Sequence, residues 1–112
     1  MECTKEKVGE VTYIQVNIVR ATLQEAEEFK NLLIDSIEEG NRKIIVDLST
    51  CEFIDSTFLG TLVVALKKLT TLGGDLRLVG FQPAVHSMFE LTRMYRVFES
   101  FKSKDEAIKS FS

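Results

Sequence analysis

Apolar and polar residues alternate from Thr12 to Ile18, with Thr12, Ile14, Val16 and Ile18 on one side and Tyr13, Gln15 and Asn17 on the other. That period of two belongs to a strand with one face buried. Gly9-Glu10 ahead of it suits a hairpin turn from a short first strand around Thr4 to Val8. The period then lengthens. Thr22-Leu23-Gln24-Glu25 has the form of a capping box, whose hydroxyl and carboxylate satisfy free donors at a helix start. Ala26, Phe29, Leu33 and Ile37 follow at helical spacing, and Gly40 suits a left-handed stop. Ile44-Ile45-Val46-Asp47-Leu48 is apolar but for Asp47, as expected of a strand covered on both faces in a parallel sheet. After the loop Ser49 to Ile54, Leu59, Leu62, Val63, Leu66 and Leu69 make a second helical stripe that ends at Gly73-Gly74. Leu76 to Val79 predicts a strand, and Pro83 suits the first turn of a third helix whose apolar face is Val85, Met88 and Phe89. A brief strand near Val97 to Phe101 and a second capping box, Ser103-Lys104-Asp105-Glu106, finish the pattern. Helices alternating with strands, without repeat or linker, predict one α/β domain over residues 1–112. Its sheet is expected to be mixed, of four to five strands with a largely parallel centre, packed with about four helices.

Composition narrows the function. The chain has 14 Lys and Arg against 17 Asp and Glu, so its net charge of −3 offers no electrostatic reason to bind nucleic acid or anionic lipid. The longest apolar stretch, Phe58 to Leu66, is broken by Gly60 and Thr61, and the first residues lack the apolar core of a signal peptide, so no membrane association is expected. Cys3 and Cys51 belong to no CxxC pair, which argues against a disulfide framework or a zinc ribbon and for a reducing, cytoplasmic setting. His86 is the only histidine. Metal sites of two or three imidazoles are therefore impossible, a Ser/His/Asp triad has one candidate base, and neither cofactor nor enzymatic activity is expected. His86 itself reads as a surface or partly buried side chain, Cys51 as a small apolar filler, and Lys67, Lys68, Arg93 and Arg96 as solvated positions. Asp47 stands where a receiver domain would carry its phosphoacceptor, but Asn17-Ile18-Val19-Arg20 supplies no acidic pair to hold magnesium.

Asp55 and Ser56 fall between an apolar strand and an apolar helix, and so mark a helix start. Unpaired N–H groups and the positive end of the helix dipole meet there, so a hydroxyl is exposed and a phosphate on it is tolerated. Read locally, Asp55 or Ser56 is simply the N-cap, a role compatible with the other. Thr57 is the second candidate hydroxyl, its competing reading being packing along the helix.

Asp47-Leu48-Ser49 followed by Asp55-Ser56-Thr57-Phe58-Leu59-Gly60 resembles the motif of the STAS domain of bacterial anti-sigma factor antagonists, a strand ending in DLS and then D-S-S/A-G-L-G. The similarity continues through Gly73-Gly74-Asp75-Leu76-Arg77-Leu78-Val79-Gly80 and Leu91-Thr92, and runs from about Tyr13 to Phe101. The resemblance implies a protein that binds an anti-sigma factor, often itself a serine kinase, and so releases a sigma factor. It further implies that phosphorylation of Ser56 switches the protein off and that a phosphatase reverses the mark. Thr22, Asp55, Ser56, Thr57 and Phe58 are then the expected partner-binding residues, with Thr57 the runner-up phosphosite.

Three positions depart from the family pattern. Phe58 replaces the usual glycine two residues after the serine, Val19-Arg20-Ala21-Thr22 lacks the usual acidic residue, and Arg93 stands where glycine often follows Leu-Thr. Phe58 has two possible places, in the core or as an exposed anchor, and aromatic residues at helical spacing favour the first. The departures also motivate an alternative, a binding or scaffold module that uses this fold without phosphorylation.

Overall fold

The computed structural model describes residues 1–112 throughout. The elements in chain order are β1 (Cys3–Val8), β2 (Val11–Val16), β3 (Arg20–Ala21), α1 (Leu23–Glu38), β4 (Lys43–Asp47), β5 (Phe53–Ile54), α2 (Ser56–Thr71), β6 (Asp75–Val79), α3 (Pro83–Leu91), a 3-10 turn (Met94–Arg96), β7 (Ser100–Phe101) and α4 (Lys104–Ser110). Five strands form one sheet in the order β1-β2-β4-β6-β7. Only the β1–β2 hairpin is antiparallel; β2–β4, β4–β6 and β6–β7 are parallel, each reached through a helical crossover. The predicted mixed sheet with a parallel centre and four helices is therefore the observed one. The final strand is shorter than the Val97–Phe101 expected from pattern, because Val97 is exposed and only Ser100 and Phe101 pair with β6.

The two faces of the sheet are covered unequally. A core of 23 buried residues lies on the side of α1, α2 and α3, centred on Ile14, Val16, Ile44, Val46, Leu76 and Leu78 from the strands. Phe29 of α1 and Phe58 of α2 stack there at 4.6 Å between ring centroids. The other face is covered by α4, whose Ala107 packs with Val11, Tyr13, Ile45 and Val79. Alternation in β2 predicts one buried face, whereas both are buried: Val11 and Tyr13 pack with α4, and Ile14 and Val16 lie wholly within the main core. Arg77 fastens that helix, donating to the Ser110 carbonyl at 2.6 Å and lying 4.1 Å above the Phe111 ring.

Caps set the helix limits as the sequence suggests. Ser103 accepts from the Glu106 N–H at 3.2 Å, and Pro83 occupies the first turn of α3. Gly80, after β6, has φ +72°, and a Cβ there would lie 2.7 Å from the Ser49 Cβ, so this crossing of chain segments requires glycine.

Candidate functional site

The short strands β3 and β5 were not legible in the sequence, and they build the site. They pair in parallel, Arg20 with Phe53 and Ala21 with Ile54, as a two-stranded sheet separate from the main one. The Val19 carbonyl accepts from Glu52 and Phe53, and the Asp55 N–H donates to the Ala21 carbonyl at 3.0 Å. The guanidinium of Arg20 lies 4.5 Å above the Phe53 ring. This pairing brings the first residues of α1 and α2 side by side, although 32 positions separate Leu23 from Asp55.

Asp55 is the N-cap of α2, which decides between the two residues that pattern offered for that role. Its carboxylate serves both helices: Oδ1 accepts from the Phe58 N–H at 2.9 Å, and Oδ2 accepts from the Leu23 N–H at 2.8 Å. One side chain thus satisfies free donors at two helix starts and ties them together. Thr22 caps α1, accepting from the Gln24 N–H at 3.4 Å. Its hydroxyl donates to Glu25 Oε2 at 2.9 Å, so the box closes hydroxyl to carboxylate.

Ser56 follows Asp55 as the first residue of α2 and is exposed, and its hydroxyl has no hydrogen-bond partner within the protein. Thr57 is exposed as well, so its side chain does not pack along the helix. Phe58 is different. It was expected among the partner-binding residues, but it is 0% exposed and stacked on Phe29, so it cannot touch a partner; it holds the helix start from below. Two exposed apolar residues that sequence reasoning missed flank β3, which leads into the paired helix starts. Leu23 is 65% exposed and Val19 50% exposed. Their place at the site depends on the β3–β5 pairing, which leaves no periodic trace in two-residue strands.

The other candidates lie apart. Asp47 is buried at the end of β4, where Tyr13 donates to its Oδ2 at 2.5 Å and Ser49 donates to its Oδ1 through both backbone N–H (2.8 Å) and hydroxyl (2.6 Å). Burial, and then the bond to Asp47, raises the Tyr13 phenol above its ordinary range. Cys51 is buried in the main core and its thiol is pushed up to about 12 by that burial, so it is an inert filler. His86 is exposed on α3, 3.4 Å from Glu90. No three His, Cys, Asp or Glu side chains gather to hold a metal ion, and no helix is long and apolar enough to cross a membrane.

The model of the STAS domain family matches residues 13–107. The chain belongs to that family. This STAS domain is 27% identical over 86 residues, 77% of its length and 74% of the relative's, to the Bordetella bronchiseptica protein named "Putative anti-sigma factor antagonist BtrV". It superposes with a TM-score of 0.90 and 28% identity on a crystal structure from Thermotoga maritima described as "a putative anti-sigma factor antagonist", covering 96% of this chain and 92% of that one. The anti-sigma factor antagonist SpoIIAA in its unphosphorylated form shares the fold, with a TM-score of 0.84 at 19% identity over 98% of this chain and 96% of that one. Its phosphorylated form does so with a TM-score of 0.77 at 18% identity over 99% and 100%.

Proposed function

We propose that this STAS domain is a cytoplasmic anti-sigma factor antagonist: it binds an anti-sigma factor through the paired starts of α1 and α2, frees a sigma factor, and is switched off when Ser56 is phosphorylated. The observation that carries the reading is the Ser56 hydroxyl, exposed and without a partner at the first residue of α2, beside a carboxylate already engaged by two backbone N–H groups. Relatives and structural neighbours that carry the antagonist name support the binding role. The kinase is the anti-sigma factor itself or an associated serine kinase, and a phosphatase restores the active form. The chain serves as substrate and switch, not as catalyst, and needs no cofactor of its own.

The switch follows from charge. A phosphate adds about −1.5 to −2 charge next to Asp55 and in the middle of the contact surface made by Thr22, Leu23, Ser56 and Thr57. An acidic group of the partner seated about 6 Å from that phosphate, at an effective dielectric near 20, is repelled by about 3 kcal/mol. Half of that is about tenfold in affinity, before the phosphate is desolvated. The fold itself tolerates the mark, because the positive end of α2 faces the same point and the hydroxyl leaves no internal bond to break. Affinity is therefore expected to fall without refolding.

The phosphorylation-independent alternative loses one of its motives here. Phe58, whose second possible place was that of an exposed anchor, lies buried beneath the helix start, while Ser56 is exposed. Incubation with the cognate anti-sigma kinase and ATP, followed by tryptic mass spectrometry, tests the reading. One phosphoryl group on Ser56, absent from Ser56→Ala, is the expected result; a protein that remains unmodified, or is modified only at Thr57, overturns it.

A further inference from the structure

The end of α3, the 3-10 turn and the approach to β7 carry exposed features, at the edge of the main core, that the Ser56 surface does not use. Thr92 caps α3, and Arg93 follows at φ 59°, the single non-glycine residue of the chain with positive φ. Helices usually place glycine there, because in the left-handed region a Cβ crowds the next carbonyl. Nothing within the fold rewards an arginine at this point. Neither Arg93 nor Arg96 forms an ion pair; Arg96 lies 6.0 Å from the Tyr95 ring. Three of the seven exposed large apolar side chains fall in the same short stretch, Leu91 at 83%, Tyr95 at 56% and Val97 at 47% exposure. Beside them opens a cleft of about 450 Å³, lined by the Phe81 and Phe89 rings, which stack at 4.5 Å, and by Tyr95, with His86, Glu90 and Ser100 as its polar members.

We propose that this face docks an acidic segment of a partner protein that carries an aromatic anchor. The ring enters the cleft against Phe81, flanking carboxylates meet Arg93 and Arg96, and Leu91 and Val97 are covered at its sides. Charge complementarity selects this occupant: in a chain of net charge −3, two guanidinium groups here have no carboxylate of their own. Glu90, 3.4 Å from His86, is the one carboxylate of the cleft, and it disfavours an acidic group seated inside it. The anchor is therefore apolar and its acidic residues flank it. The cleft is large enough for a ring, and half of its lining is aromatic.

Nuclear magnetic resonance titration of the isotope-labelled full chain tests the proposal. The probe is the capped peptide Glu-Asp-Phe-Glu-Asp, with Lys-Lys-Phe-Lys-Lys as the control. The acidic peptide is expected to give saturable shifts at Phe81, Glu90, Tyr95 and Ser100 and to bind at least about tenfold more tightly than the basic one. Arg93→Gly combined with Arg96→Ala should weaken it by about fivefold to tenfold. Arg93→Gly alone should raise the melting temperature by a few degrees while lowering affinity, a pairing that a purely structural arginine would not produce. Equal binding of the two peptides, unchanged affinity in the double variant, or shifts at Thr22 and Ser56 instead would overturn it. So would a concentration-dependent dimer through this face in sedimentation, which would assign the patch to a second copy. None of these outcomes bears on the phosphorylation of Ser56.

Discussion

Ser49 and Ser56 are both exposed and both closely follow an aspartate, yet the two aspartates leave them in opposite states. At Ser49 the hydroxyl donates to Asp47, whose other oxygen accepts from buried Tyr13, and the segment is pressed against Gly80. At Ser56 the neighbouring carboxylate is engaged by two backbone N–H groups, and the hydroxyl is left free. Exposure alone does not make a serine available to another protein. What its acidic neighbour is bonded to decides whether the hydroxyl is part of the fold or open to modification.

Removing each aspartate should expose the contrast most strongly. Asp47→Ala leaves the Tyr13 hydroxyl buried without an acceptor and releases Ser49, a loss of about 3 kcal/mol in urea unfolding. Asp55→Ala removes the cap of α2 and the tie to Leu23, and should cost about 1–2 kcal/mol. If Asp55→Ala proves the more damaging, the Asp47 network is not the structural member of the pair.

Alkaline pH probes the Asp47 side of the comparison, on top of the slope that the Cys3 and Cys51 thiols, raised by burial to about 11 and about 12, add from about pH 9. The Tyr13 phenol is raised by burial and by its bond to Asp47 above the ordinary value of 10.0 that it regains on unfolding. The folded state therefore keeps its proton longer, and the stabilisation is complete below about pH 10 and lost as pH rises towards the folded value, at about 1.4 kcal/mol per pH unit. Tyr13→Phe should flatten that slope, measured as unfolding midpoint against pH; an unchanged slope would mean that another group controls alkaline unfolding. Smallest of all, Ser49→Ala should cost about 1 kcal/mol and Ser56→Ala less than about 0.5 kcal/mol. Equal losses at the two serines would erase the comparison.

The parts legible in the sequence are those where a period repeats several times. Sixteen-residue α1 and α2 each present a full apolar stripe, and Gly40 and Gly73 close them with positive φ. Capping chemistry placed Thr22 and Ser103 for the same reason, since each needs only three neighbours to be read. Long-range pairing is invisible at that scale. The bond from Leu23 to Asp55, the β3–β5 pairing and the cover that α4 gives Val11 and Tyr13 join residues far apart in the chain through segments too short to carry a period. Phe58 shows the same limit from the other side. Its spacing suggested core, but only the Phe29 ring across from it explains why a bulky residue fits at the helix start.

Calorimetric titration of the cognate anti-sigma factor with the unmodified protein and with the protein stoichiometrically phosphorylated at Ser56 tests the central claim most directly. The account predicts tight binding by the first and a loss of at least about tenfold in the second, with both forms melting at closely similar temperatures. Equal affinities, or a loss that accompanies unfolding of the phosphorylated protein, would contradict it.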